Sequence, residues 1–207
     1  MDFVLFGVIA YLLGSIPTAV WVGKSYYGID VREHGSKNAG ATNTFRVLGK
    51  RPGILVLTID VVKGALAVLL PTFILSADAI GLDRLIQIQL VSAVGAIVGH
   101  VFPLFANFNG GKGVATSLGV IIGIHPPAAG ICLLVFLLVF LATKYVSLGA
   151  IVTSFAFPLV IIFVFHVQSL WLIGFSILLG STVIITHKKN IVRLLKGEES
   201  KMNLFKK

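Results

Sequence analysis

Apolar positions along this chain come in long blocks. Residues 3–23 hold no charge, and 53–77 are interrupted only by Asp60 and Lys63. Residues 85–106 carry His100 near their end, 114–143 are uncharged, and 148–166 and 169–186 complete the set. A helix needs about 20 apolar residues to cross the hydrocarbon core. The blocks therefore predict an all-α, polytopic transmembrane helix bundle.

The long block 114–143 is ambiguous, because His125-Pro126-Pro127 lies in its middle. Two prolines remove backbone donors and end a helix. Splitting there leaves a short first piece, which has to be sunk, tilted or extended through the glycine-rich segment before it. Charge decides between the readings. With about seven spans, all but Lys63 and Arg84 of the 17 lysines and arginines fall on one side. With six, the tail moves opposite loop 24–52 and that asymmetry is lost. The positive-inside rule favours seven, with the N-terminus outside and the C-terminus cytoplasmic. The chain reads as a single transmembrane domain, 1–207, with a basic cytoplasmic tail over 187–207.

Composition agrees. Hydrophobic residues make up 57% of the chain and charged ones 12%, against roughly 25% charged in soluble domains. No basic residue precedes the first apolar block, so the N-terminus reads as part of the mature fold. The lone Cys132 builds no disulfide framework. A net charge of +9 on such a chain points to orientation and lipid contact rather than nucleic acid.

Small polar residues gather on the side expected to be cytoplasmic. Loop 24–52 contains Gly35-Ser36-Lys37-Asn38-Ala39-Gly40-Ala41-Thr42-Asn43-Thr44-Phe45-Arg46. A second stretch is Asn107-Phe108-Asn109-Gly110-Gly111-Lys112-Gly113-Val114-Ala115-Thr116-Ser117. Others are Lys144-Tyr145-Val146-Ser147 and Thr186-His187-Lys188-Lys189-Asn190. Glycines for close backbone approach, hydroxyl and amide donors, and cations are what an oxyanion such as phosphate needs. A helix N-terminus adds positive dipole. Arg46 suits two-point contact with a phosphate, and Lys112 a point charge. Each cluster alone also reads as an ordinary turn or solvated connector; their convergence on one face makes a phosphate site.

Asp60 and Lys63 share a helix face at i, i+3 and pair, either bracing the site or serving it. His100 lines the site or packs against loop 24–52. No Walker pattern is present, since Gly113 follows Lys112 and Ala106 stands where its first glycine belongs. Neither a Gly-x-Ser-x-Gly elbow nor a metal-ligand set occurs. A transporter would carry its polar site near the midplane on broken helices, unlike this one-sided arrangement.

These residues resemble one family over nearly the whole chain. The stretches are Gly-Ser-Ile-Pro-Thr-Ala at 14–19; Gly35-Ser36-x-Asn38-x-Gly40-Ala41-Thr42-Asn43-x-x-Arg46; Asp60-x-x-Lys63-Gly64; and Gly99-His100-x-Phe102-Pro103. They continue with Gly110-Gly111-Lys112-Gly113-x-Ala115-Thr116 and His187-x-x-Asn190-Ile191-x-Arg193-Leu194-Leu195-x-Gly197-x-Glu199. Together they resemble the bacterial membrane-integral acyl-phosphate:glycerol-3-phosphate acyltransferases. Lys37 departs from that pattern, which has glycine there.

The resemblance implies a monomeric enzyme of the bacterial inner membrane, with its active site facing the cytoplasm and no cofactor or metal. It implies acyl phosphate and glycerol 3-phosphate as substrates, and membrane lipid around the chain. The products would be 1-acyl-glycerol 3-phosphate and inorganic phosphate, the first membrane step of phospholipid synthesis. It carries Lys112, Arg46, His187, Asn190 and Ser36 into catalytic roles. Asn38, Thr42, Asn43, Gly110, Gly111, Gly113, Thr116 and Ser147 become substrate-binding residues. Gly110–Gly113, Thr116 and Ser36 would hold the departing phosphoryl group. Arg46, Ser147, His187 and Asn190, with Lys112 between the two anions, would hold glycerol 3-phosphate. Asn43 or Asn190 would stabilise the oxyanion. The proton acceptor stays open between His187 and a substrate phosphate. The His-x4-Asp dyad of acyl-CoA-using glycerol-phosphate acyltransferases is absent.

Overall fold

A computed structural model describes residues 1–202, and every regular element among them is helical. The apolar blocks become α1 (Asp2–Gly14), α2 (Thr18–Tyr27), α4 (Lys50–Ile74), α6 (Leu82–Val101) and α7 (Val114–Ile124). They continue as α8 (Pro126–Thr143), α9 (Val146–Leu159) and α10 (Leu170–Thr186). Short helices fill the connections: α3 (Ala41–Leu48), α5 (Ala77–Ile80) and α11 (Lys188–Leu195). Five segments are long and apolar enough to cross a membrane: 2–27, 50–74, 82–106, 126–143 and 146–164. The pair α10–α11, bent by 60°, makes a sixth, and α7 is a shorter apolar helix.

The prolines act as expected at the middle of block 114–143. Helix α7 ends at Ile124, and His125 caps α8 by accepting a hydrogen bond from the Ala128 amide at its Nδ1, 3.2 Å. Pro126 and Pro127 then sit in the first turn, where no amide donor is missed. Eleven residues of α7 rise only about 16 Å, roughly half of the hydrocarbon thickness. The first block is also broken. Ser15, Ile16 and Pro17 separate α1 from α2, which exposes the Ile16 carbonyl inside the bundle.

The chain divides into two compact units, 1–124 and the part from His125 onward. In the first, α1 packs on α6, and α4 packs on α3, α6 and α7. The Asp2–Arg84 ion pair, 3.2 Å, joins the starts of α1 and α6. In the second, α9 contacts both α8 and α10.

Close helix approach replaces bulky packing in the first unit. Ala10, Ala67 and Ala96 form one buried cluster between α1, α4 and α6. A side chain at Gly64 would land on the Thr116 carbonyl, and one at Gly119 on the Val61 carbonyl. Small residues let helix backbones meet this closely in a membrane. Gly64→Val is expected to separate α4 from α7 and lower stability by about 3 kcal/mol, read as a drop in melting temperature in detergent. An unchanged melting temperature would show that the helices part without penalty.

Candidate active site

In the first unit, the loop after α2 is organised by two side chains. The Asp30 carboxylate accepts hydrogen bonds from the Arg32 amide (3.0 Å), Nε (3.0 Å) and Nη2 (2.7 Å), and pairs with Lys24 at 3.1 Å. The Arg32 hydrogen bonds hold the Asp30 carboxyl well below the usual carboxylate range, against the opposing effect of burial. The same pair raises the Arg32 guanidinium. Arg32 Nη1 donates to the Ala106 carbonyl at 2.9 Å. This bond ties the loop of Ser36 to the turn that leads into Gly110.

Asn43, 1% exposed, clamps the loop further. Its Oδ1 accepts from the Ser36 amide (2.8 Å), and its Nδ2 donates to the carbonyls of Val31 (2.7 Å) and His34 (3.1 Å). Both ends of the amide are thus used in shaping the loop. Ser36, Asn38 and Thr42 are half-buried, and Arg46 is exposed on the last turn of α3. A side chain at Gly35 would meet both Asn43 Oδ1 and the Arg46 stem, which places Arg46 close to this loop.

Lys37 occupies a left-handed conformation, φ +58°. An L side chain is penalised by about 1–2 kcal/mol in this region, where glycine is not. Lys37→Gly is expected to stabilise the protein by less than about 1 kcal/mol, because glycine's extra unfolded-state freedom offsets part of the gain. A melting-temperature decrease would contradict this.

The second cradle follows α6. Asn107 and Phe108 take left-handed conformations, φ +53° and +57°, and the Phe108 amide returns to the Pro103 carbonyl at 2.9 Å. The Gly111 amide donates to the His100 carbonyl at 3.1 Å. Gly113 has φ +82°, and its carbonyl accepts the Ser117 amide at 2.7 Å, opening α7. The amides of a helix's first turn have no intrahelical acceptor and point outward with the positive dipole end. Lys112 is half-buried immediately before that helix. Thr116 Oγ1 and Ser117 Oγ are buried with no hydrogen-bond partner among the described residues.

In the second unit the donors converge on a residue that the sequence reading did not assign a part. Glu199 Oε1 accepts from Ser147 Oγ (2.8 Å) and Asn190 Nδ2 (2.7 Å), while Oε2 accepts from Arg193 Nε (2.7 Å). Ser147 and Asn190 are each 5% exposed. Burial by itself raises the Glu199 carboxyl, but the three hydrogen bonds outweigh it and hold the group below its ordinary value. Arg193 is this carboxylate's ion partner. The segment is fixed by the Met202 amide donating to the Lys144 carbonyl, 2.9 Å, and by Lys201 over the Tyr145 ring. Gly197, φ +72°, makes the turn that brings Glu199 back.

His187 sits at the bend between α10 and α11, 3% exposed. Its Nδ1 lies 2.8 Å from the Val183 carbonyl. A carbonyl only accepts, so Nδ1 carries a proton in this contact.

The structure thus links Ser36, Asn43 and Arg46 around one loop and joins it through Arg32 to the turn before the glycine cradle. It gathers Ser147 and Asn190 on Glu199 in the second unit. Residues 4–197 match the family model for glycerol-3-phosphate acyltransferase. The chain belongs to this family. The glycerol-3-phosphate acyltransferase of Fusobacterium nucleatum is 45% identical over 201 residues, 97% of this chain and 98% of that protein. That of Salinibacter ruber is 40% identical over 209 residues, covering 96% and 91%. Among solved structures, this chain is similar to PlsY (YgiH), an integral membrane glycerol 3-phosphate acyltransferase, in its glycerol 3-phosphate form. The TM-score is 0.88, at 35% identity and full coverage of both chains. The lysophosphatidic acid form gives a TM-score of 0.84 at 34% identity, covering 99% and 97%. This acyltransferase therefore has the integral-membrane helical fold its apolar blocks implied.

Proposed function

We propose that this acyltransferase moves an acyl group from acyl phosphate to the primary hydroxyl of glycerol 3-phosphate. The products are 1-acyl-glycerol 3-phosphate (lysophosphatidic acid) and inorganic phosphate. The relatives' shared name supports the acceptor, and the solved forms of PlsY, with glycerol 3-phosphate and with lysophosphatidic acid, support acceptor and product.

The observation that carries the donor is the Gly110–Gly113 loop running into the N-terminus of α7. Backbone amides and a helix dipole suit a phosphoryl leaving group. In the first unit, Gly110, Gly111, Gly113, Thr116 and Ser36 hold that group, with Asn38 and Thr42 beside it and Asn43 shaping the loop. Arg46 and Lys112 meet the phosphate charges. Arg46, Ser147, His187 and Asn190, with Lys112 between the two anions, bind glycerol 3-phosphate. The hydroxyl oxygen forms the ester bond to the acyl carbon as the bond from that carbon to the phosphate oxygen breaks. The hydroxyl proton passes to His187 Nε2 or to a phosphate oxygen, and the electron pair leaves on phosphate. Positioning and charge supply most of the rate.

The same reading makes the protein a multi-pass monomer of a bacterial inner membrane with about seven spans. Its N-terminus lies outside, and its site and basic tail face the cytoplasm. The charge asymmetry between loops supports this orientation.

Purified protein given palmitoyl phosphate should release phosphate only when glycerol 3-phosphate is added, with equimolar lysophosphatidic acid. Product formed from palmitoyl-CoA but not from palmitoyl phosphate would overturn the donor assignment.

A further inference from the structure

We propose that His100 is a positioning residue for the glycine cradle, its imidazole bridging the buried Asp60–Lys63 pair to the backbone of Gly111. The inference rests on reading Gly110–Gly113 as the phosphoryl-binding loop.

The bridge is assembled from α2, α4 and α6, with the break between α1 and α2. Asp60 Oδ1 accepts from Thr18 Oγ1 at 3.1 Å and pairs with Lys63 Nζ at 2.8 Å. Lys63 Nζ also donates to the Ile16 carbonyl, 2.9 Å, which the break between α1 and α2 leaves available. Asp60, Lys63 and His100 are 1%, 4% and 6% exposed, so this frame is dry and closely held. The last turn of α6 places His100 with Nδ1 3.6 Å from Asp60 Oδ1.

The far edge of the ring does the work on the loop. A Cβ at Gly111 would collide with His100 Nε2, and the nearest heavy atoms to that point all belong to the imidazole. The Gly111 amide meanwhile donates to the His100 carbonyl, and a Cβ at Gly110 would strike that same carbonyl. Main chain and side chain of one residue thus fix two consecutive glycines from below. This gives a physical reason for both glycines, beyond the anion's need for open backbone. Amides stabilise a departing phosphate only if they are already aimed, and a misplacement of about 1 Å can lower the rate ~10²-fold. His100 touches no reacting atom in this account. It engages the Gly111 amide itself and thereby sets where the loop's remaining amides point.

The test uses the full chain in detergent. Hydrogen–deuterium exchange is followed in peptides spanning 107–114, with His100→Ala and the wild type side by side. The expected result is exchange at least ten-fold faster in that segment, with peptides from α9 and α10 unchanged within two-fold. KM for palmitoyl phosphate should rise about ten-fold while KM for glycerol 3-phosphate stays within two-fold. Gly111→Ala should lower kcat/KM by at least 100-fold when His100 is present. In the His100→Ala background it should lower kcat/KM by less than five-fold, because the obstructing ring is gone. Unchanged exchange over 107–114, or the same Gly111→Ala loss in both backgrounds, would overturn the proposal. If His100→Ala melts too low to purify, His100→Asn, which keeps an amide toward Asp60 but no ring against Gly111, carries the same comparisons. A wild type that ignores palmitoyl phosphate defeats the donor assignment alone, and the exchange result still decides this one.

Discussion

Glu199→Ala is expected to leave less than about 1% of wild-type activity and to lower stability by about 2 kcal/mol, because two buried donors, Ser147 and Asn190, lose this acceptor while the half-exposed Arg193 returns to solvent. Three donors lose their acceptor at once: Ser147 Oγ, Asn190 Nδ2 and Arg193 Nε. Leaving buried donors unmatched carries the full desolvation penalty. The loss should exceed that of Ser147→Ala, which removes one donor and leaves the carboxylate its other two. A Glu199→Ala protein with near-normal turnover would show that Ser147 and Asn190 hold their places without it.

The same cluster predicts a pH effect. The Glu199 carboxyl lies below its ordinary value of 4.5, burial being outweighed by hydrogen bonds from Asn190, Ser147 and Arg193. A depressed folded-state value means that the stabilisation is fully present above the unfolded value and disappears as pH falls through the folded one. The melting-temperature gap between wild type and Glu199→Gln should therefore be constant near neutrality and narrow below about pH 4.5. A gap that persists at lower pH would show that the carboxylate charge contributes nothing.

Lys112→Ala is expected to lower kcat/KM by roughly 10²–10³-fold, the usual range for removing one preorganised group that meets developing negative charge. Lys112 stands half-buried between the Gly111 turn and the first turn of α7, where an ammonium reinforces the helix dipole at one point. Lys112→Arg keeps the charge but spreads it over a planar fork. It should recover less than about a tenth of the activity. Steady-state rates with palmitoyl phosphate and glycerol 3-phosphate check both variants. A loss under ten-fold for Lys112→Ala would remove the lysine from the charge-stabilising role.

The apolar blocks were legible because lipid demands long uncharged helices, and the Pro126-Pro127 break was legible because proline chemistry is local. The break between α1 and α2 was not. Ser15, Ile16 and Pro17 sit inside an uncharged block whose composition hides the interruption. Among site residues, glycines beside lysine announced the cradles. The partners that hold them were less visible. Asp30 and Arg32 are two residues apart in an ordinary loop, and only the fold reveals the bond to Ala106. Glu199 is one of two adjacent glutamates in a basic tail, and nothing in its neighbours points to Ser147, 52 positions away. His100 had two equal readings, and its place between Asp60 and Gly111 depends on how α4 and α6 pack.

The Asp60–Lys63 pair also bears on how the protein enters the bilayer. Lone charges at the centre of a crossing helix raise the insertion free energy by about 2.5–3.5 kcal/mol each. Here the two charges lie one turn apart on α4, 2.8 Å between charged atoms, so the helix brings its own counter-ion. The apolar stretch of α4 after Arg51, residues 52–74, whose only charges are Asp60 and Lys63, can leave the translocon as an electrically neutral passenger before Thr18 or His100 has been placed around it. A substitution that removes either charge would then act twice: once at biogenesis, as fewer correctly inserted chains, and again in the finished bundle.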